Sequence, residues 1–367
     1  MNNASGAVPI NEIHDKSIYP MQINTFPGHM AKLSLLPAVA LLLLLSWTTL
    51  AFADQANPVY QAEIRYIDRS KGERNQAIPV TQPVPGNVYT QAQQANSPFL
   101  WRIEHPGNHN GARSNYIFGT IHIDDEKVMT LPDSVRQRLI VADTLMLELE
   151  LNANGSVDVL RKMLFTDGRN LMQVIGEEEF SEVSTALIKT GNDLPDDVMT
   201  FLKPWAAMLM LVKPENNSGT FLDKKLAELA RDSGIRVLGL ETANEQLSVF
   251  DDIAIDDQVI LLQSAMDSLA EKEQAYRQLL DAYLSGDMEK LVSITDSQQP
   301  KDKRIADLIN EKLIIERNHR MFERMQGQLR AGNTFIAVGA LHLPGEQGLL
   351  NNLRQAGYRL IRIEQNQ

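Results

Sequence analysis

One pattern occurs twice in this sequence, and its second copy restricts the fold more than any other feature. Asn115 to Asp124 reads NYIFGTIHID: a run of aromatic and β-branched residues ends on Gly119, and His122 follows three residues later. Thr334 to Gly345 reads TFIAVGALHLPG, where Phe335 to Val338 lead into Gly339 and His342 stands at the same offset. Runs of this length and composition form strands. A glycine at the C-terminal end of a parallel strand lets backbone approach a ligand, and open α/β sheets place their sites at those ends. Two such ends, more than 200 residues apart in the chain, read as two edges of one site.

The flanking segments place both copies in similar surroundings. Phe99 to Glu104 is a strand, and the turn formers from His105 to Gly111 connect it as a hairpin to Tyr116–Gly119. A helix then runs from about Pro132 to Ala142, and Thr144 to Leu151 alternates as the next strand. Strand, Gly-x-x-His loop, helix and strand make a βαβ unit and imply a parallel pair. The C-terminal copy repeats this outline through a helix at Gln347–Gln355 and a strand at Tyr358–Ile363. Between them lie helical stretches at 177–190, 201–212, 221–233, 256–285, 287–294 and 303–330, and a strand at Ile235–Glu241. The expected fold is α/β: a central mixed sheet of two similar βαβ half-units, each carrying a Gly-x-x-His loop, surrounded by helices with a helical insertion.

This domain is expected over residues 98–367. Ahead of it, Lys32 and the apolar run Leu33–Leu50 close on Ala51-Phe52-Ala53, which reads as a signal peptide over 30–53, cut after Ala53. An uncleaved anchor is the alternative, because the run nearly spans a bilayer. Residues 1–29 read as an extra N-terminal segment, with Met30 or Met21 as the true start. Residues 54–97 form a polar leader whose stretch PVTQPVPG holds three prolines and excludes helix; Tyr60–Ile67 is its one candidate edge strand. The expected location is periplasmic or secreted. The chain has no cysteine, which excludes a thiol nucleophile, a thiolate metal site and a disulfide framework. A net charge of −12 argues against nucleic acid or anionic lipid as partner. The charge identifies no substrate, and membrane contact is expected only through the signal segment.

No HExxH, GxSxG, GxGxxG or P-loop pattern occurs. His122 and His342 are candidate metal ligands; the competing reading is a pair of structural histidines at strand ends, and the repeated context favours a shared site. Glu148 and Glu150 lie on one face of a leucine-rich strand, where a buried carboxylate must be paired or metal-bound. The alternative is the exposed face of an edge strand, and Glu241 carries the same ambiguity at the end of RVLGLE. Arg317 and Asn318 sit in a stretch whose charges read mostly as a solvated face. His105, His109 and His319 read as surface residues. Lys203-Pro-Trp205 reads as a helix start, and Met208–Met210 as core.

FGTIHIDD, LMLELEL, KPW, GLET with Gln246 beyond it, ERN and AVGALHLPGEQGLLNNLRQAGY occur in the order seen in the TraB/GumN family, and the chain from Phe99 to Ile363 resembles that family. The group is related to Tiki metalloproteases, erythromycin esterases and ChaN-like haem-binding proteins. By this resemblance the motif glycines are Gly119 and Gly339, the metal ligands His122, His342 and Glu148, and the Arg-Asn pair Arg317 and Asn318. It implies a metal-dependent hydrolase, a peptidase above all, using a divalent Mn, Co, Fe or Zn ion. Glu148 or Glu241 would be the base, with Arg317 and Asn318 stabilising an oxyanion or anchoring substrate. The rivals on the same fold are a non-catalytic metal- or haem-binding protein and an interaction or signalling protein with a decayed site.

Overall fold

A computed structural model of the chain describes residues 99–105, 114–149, 156–192, 194–213 and 221–364. The signal segment, the polar leader with Tyr60–Ile67, Glu150 and most of the His105–Gly111 turn lie outside the described residues. No helix among the described residues is long and apolar enough to cross a membrane.

Six strands form one mixed sheet: β1 (Leu100–Glu104), β2 (Asn115–Thr120), β3 (Thr144–Leu149), β4 (Arg236–Glu241), β5 (Thr334–Gly339) and β6 (Arg359–Arg362). Their spatial order is β4-β3-β5-β2-β1-β6. β1 is antiparallel to both neighbours, and the β2–β5, β5–β3 and β3–β4 pairs are parallel. This corrects the expectation that each half-unit supplies its own parallel pair. β5 stands between β2 and β3, and β2 with β1 stand between β5 and β6, so the halves interleave. Burial explains the order. Every residue of β3 and β5 is buried, whereas edge strands β4 and β6 begin on exposed residues. Strands apolar on both faces belong where both faces are covered, at the centre.

Interleaving makes β2 and β5 direct neighbours, with Gly119 opposite Val338 and Thr120 opposite Gly339. Buried Asn115 pins this pair to the helix that precedes β5. Its Nδ2 donates to the Leu329 carbonyl at 2.9 Å, and its Oδ1 accepts from the Thr334 N–H at 3.0 Å. The turn from that helix into β5 passes through Gly332 and Asn333, both at positive φ (82° and 53°). Glycine and asparagine tolerate that region best.

The helices that frame the site are α1 (Asp133–Leu139), α2 (Glu177–Lys189), α3 (Pro204–Val212), α4 (Leu222–Asp232), α5 (Ala243–Asp251), α6 (Ile255–Ser268), α7 (Lys272–Leu284), α8 (Met288–Ser297), α9 (Lys303–Asn310), α10 (Glu316–Ala331) and α11 (Leu349–Gln355). Every residue of α3 is buried, and its Trp205 stacks on Phe250 with ring centres 5.7 Å apart. The methionine stretch is therefore core. Three expected continuous helices are broken. The break before α3 follows from Pro204, which lacks an N–H for a preceding turn. A 3-10 turn at Leu269–Glu271 separates α6 from α7, and a π turn at Glu311–Ile315 separates α9 from α10. Neither turn contains Gly or Pro, so packing sets these breaks. Helix α10 lies across β3, β4 and β5, and its first turn carries Arg317 and Asn318.

Candidate functional site

The two Gly-x-x-His segments leave the sheet side by side but in different shapes. After β2, β-branched Thr120 and Ile121 keep the chain extended, and His122 ends up 3% exposed. Its Nε2 lies 3.1 Å from Oδ2 of Asp223, in the first turn of α4. The hydroxyl of Thr120 donates to the other Asp223 oxygen at 3.2 Å, and Phe221 stands edge-on to the imidazole at 6.0 Å. The His122–Asp223 contact is close but not aligned as a hydrogen bond. Both ring nitrogens of His122 and Oδ2 of Asp223 are buried with no hydrogen-bond partner. Burial pushes the His122 pKa down, yet the adjacent Asp223 carboxylate more than offsets this and leaves it raised above 6.5.

After β5, Ala340 and Leu341 carry no such branching, and Ala340–His342 forms a 3-10 turn. His342 is fully buried. Its Nδ1 lies 2.7 Å from Oδ1 of Asn318. The Asn318 Nδ2 donates to the carbonyls of His342 and Gln347, at 3.2 and 2.8 Å. These two contacts fix the amide with its oxygen toward the ring, so Nδ1 carries the proton and Nε2 the lone pair. Nε2 is 3.6 Å from Oε1 of Glu148, beyond hydrogen-bond range, and has no partner. Burial, reinforced by the charges of Arg317 and His122 and only partly opposed by Glu148, pushes the His342 pKa down to about 3.

An ion network holds the floor beneath His342. Arg317, with no exposed surface, donates through Nη2 to Oε2 of Glu148 at 2.6 Å and through Nε to Oε2 of Glu241 at 2.8 Å. Oε1 of Glu148 accepts the Gly339 N–H at 2.6 Å. Oε1 of Glu241 accepts from Arg320 Nη2 at 2.7 Å and Nε at 3.0 Å. Two guanidiniums thus balance two carboxylates, the condition under which buried charge is tolerated. Glu148 (1% exposed) and Glu241 (3%) are not on exposed strand faces. Arg317 and Asn318 do not belong to a solvated face either; both are completely buried.

Most of the chain can be placed by comparison with known proteins. The model of the TraB/PrgY/gumN family matches residues 99–362. The chain belongs to this family. Among similar proteins, "Metalloprotease TIKI2" of Danio rerio is 22% identical over 321 residues, covering 73% of this chain and 61% of that protein. "Metalloprotease TIKI homolog" of Amphimedon queenslandica is 22% identical over 331 residues, covering 76% and 64%. "Metalloprotease TIKI1" of Homo sapiens is also 22% identical over 331 residues, with the same coverage. This TraB/PrgY/gumN chain therefore spans less than two thirds of the length of these relatives. No solved structure matches it.

The structure joins His342, Glu148, Glu241, Arg317 and Asn318 in one network at the β3, β4 and β5 strand ends, and pairs His122 with Asp223 in a second group at the end of the neighbouring β2. Among the described residues, no three His, Asp or Glu side chains are gathered as a metal site. Two residues of these groups were not anticipated. Arg320 looks like an ordinary helix charge. Asp223 left a legible signal, because with Leu226, Ala227 and Ala230 it occupies the i, i+3, i+4, i+7 stripe of α4, the buried face. A carboxylate on that stripe needs a partner, and His122 is that partner.

Proposed function

We propose that this TraB/PrgY/gumN protein is an exported, metal-dependent hydrolase acting on peptide bonds. A divalent ion of the Mn, Co, Fe or Zn class would be held by His122 and His342 with a carboxylate, Glu148 or Asp223. One observation carries this reading: His122 Nδ1 and Nε2, His342 Nε2 and Asp223 Oδ2 are buried without hydrogen-bond partners. Buried polar atoms are normally satisfied, and two imidazole nitrogens beside a carboxylate oxygen suit these ions. Such an ion supplies Lewis acidity, lowering the pKa of bound water and polarising a carbonyl.

The remaining roles fall to the chain itself. Asn318 holds His342 with Nε2 free, the arrangement that prepares an imidazole for coordination. Asp223, 3.1 Å from His122 Nε2, acts on that ring through its charge. Glu148, whose Oε1 lies 3.6 Å from His342 Nε2, would take the proton from water. Glu241, with each oxygen bound to an arginine, positions Arg317 rather than acting as base. Buried Arg317 and Asn318 serve here as positioning residues, in place of an oxyanion or anchoring role. The near-complete burial of both histidines favours a second reading, a non-catalytic metal- or haem-binding protein.

The test is proteolysis of a peptide library by the purified protein with each ion in turn, beside His122→Ala and His342→Ala. Metal-dependent cleavage lost in both variants supports the hydrolase. Metal binding without cleavage of any peptide moves the assignment to the binding protein, and a Soret band on haem addition identifies the haem form. N-terminal sequencing of the exported chain checks the cut after Ala53.

A further inference from the structure

A cavity of about 220 Å³ takes no part in the roles above, and none of the site residues lines it. Its walls are continuous in the chain with the two segments that carry the site. Leu341 precedes His342, and Leu313 and Ile314 belong to the π turn that leads into Arg317 and Asn318. Val292 of α8 and Ala306 and Ile309 of α9 close the other sides. The mouth carries exposed Asp296 and Asn310. π turns are rare and concentrate at functional positions, and this one forms both the cavity wall and the approach to the Arg-Asn pair.

Size decides the occupant. A cavity of about 150 Å³ lined by apolar side chains accepts benzene, whereas drug-sized ligands occupy about 300–1,000 Å³. The present volume is enough for one large side chain. The polar mouth suits the amide groups on either side of that side chain. We propose that this cavity is a specificity pocket that takes a large apolar side chain, Leu or Phe in kind, of a peptide beside the His342 loop. The proposal rests on the peptidase reading for the identity of the ligand as a peptide.

Two substitutions fill the pocket without touching the site: Val292→Trp, from a half-buried position, and Ala306→Phe, from the inner wall. The full chain is given peptides that differ only in Leu, Phe, Ala or Gly at one position. Wild type is expected to favour Leu or Phe over Gly by about tenfold or more in kcat/KM, as apolar pockets do. Val292→Trp should erase that preference while Gly peptides are cleaved as before. Cleavage with a preference unchanged in Val292→Trp and in folded Ala306→Phe overturns the pocket and leaves the peptidase reading intact.

If no peptide is cleaved, binding of N-acetyl-leucinamide, N-acetylglycinamide and octanoate is measured by NMR. A leucine response in wild type that is absent from Val292→Trp supports the pocket although the peptidase reading fails. A stronger response to octanoate, or equal responses from wild type and variant, overturns it.

Discussion

His122 and His342 follow the same Gly-x-x spacing off neighbouring parallel strands, yet their surroundings oppose each other. His122 leaves β2 on extended backbone and meets a carboxylate, so its proton is held more tightly than in water. His342 turns back in a 3-10 turn over Asn318 and Arg317, and burial there strips its proton. The lesson is that a motif sets where an imidazole can reach, whereas the packed neighbours set its charge. One imidazole is charge-paired and the other is neutral.

The His342 half depends on the Arg317 network, so the largest effect is expected there. Arg317→Met leaves Glu148 and Glu241 buried without their shared cation and should lower stability by about 3–5 kcal/mol, measured by urea unfolding. Arg317→Lys should recover little, because one ammonium cannot fork across two carboxylates. A loss below about 1 kcal/mol would mean that the network does not support this half.

Next come the residues beside each ring. Asn318→Ala should weaken Mn binding about 10–100-fold, the usual effect of losing an outer-shell partner, and Asp223→Asn should weaken it at least as much if Asp223 is the carboxylate that holds the ion, both read by calorimetry. Metal content equal to wild type in both His122→Ala and His342→Ala would sink the shared site. An effect of Asn318→Ala alone would assign the ion to the His342 half.

Gly119 tests the close approach of the halves. A Cβ there would lie 2.7 Å from Leu343 Cδ1 and 3.1 Å from Ala340 Cα, across the strand pair. Gly119→Ala should therefore cost about 1–3 kcal/mol, as overpacking does. Unchanged thermal stability would show that the β2 and β5 ends are not packed this tightly.

The smallest and most discriminating effect is in protons. Metal binding near pH 7 should release a fraction of a proton from His122, whose pKa lies above 6.5, and none from His342, already neutral down to about 3. In the metal-free chain the signs are opposite. Stability from His122 is present below pH 6.5 and is lost as pH rises through its raised pKa. Stability from His342 is present above pH 6.5 and is lost as pH falls toward 3. NMR titration of the two imidazoles checks this, and parallel titration curves would erase the distinction.

Much of this was legible in the chain. Gly119 and Gly339, the apolar strand before each, and the leucines around Glu148 are short-range patterns, and strand or helix identity follows from them. The core role of Met208–Met210 followed the same way. Other features were not legible. The interleaving of β5 between β2 and β3 depends on which runs are buried on both faces, and the π turn before Arg317 has no breaker residue to announce it. Arg317 and Asn318 resembled a solvated helix face, because local charge density says nothing about the sheet lying beneath.

By itself the amino-acid order determined the inventory: two histidines at matched strand ends, carboxylates on apolar strands, and a chain built without cysteine. The tertiary structure alone decided the pairing, giving Asp223 to His122, Asn318 to His342, and Arg317 to both glutamates. Burial strengthens each of these contacts by excluding water, and a contact such as Arg317–Glu148, between residues 169 apart in the chain, exists only once the sheet has assembled.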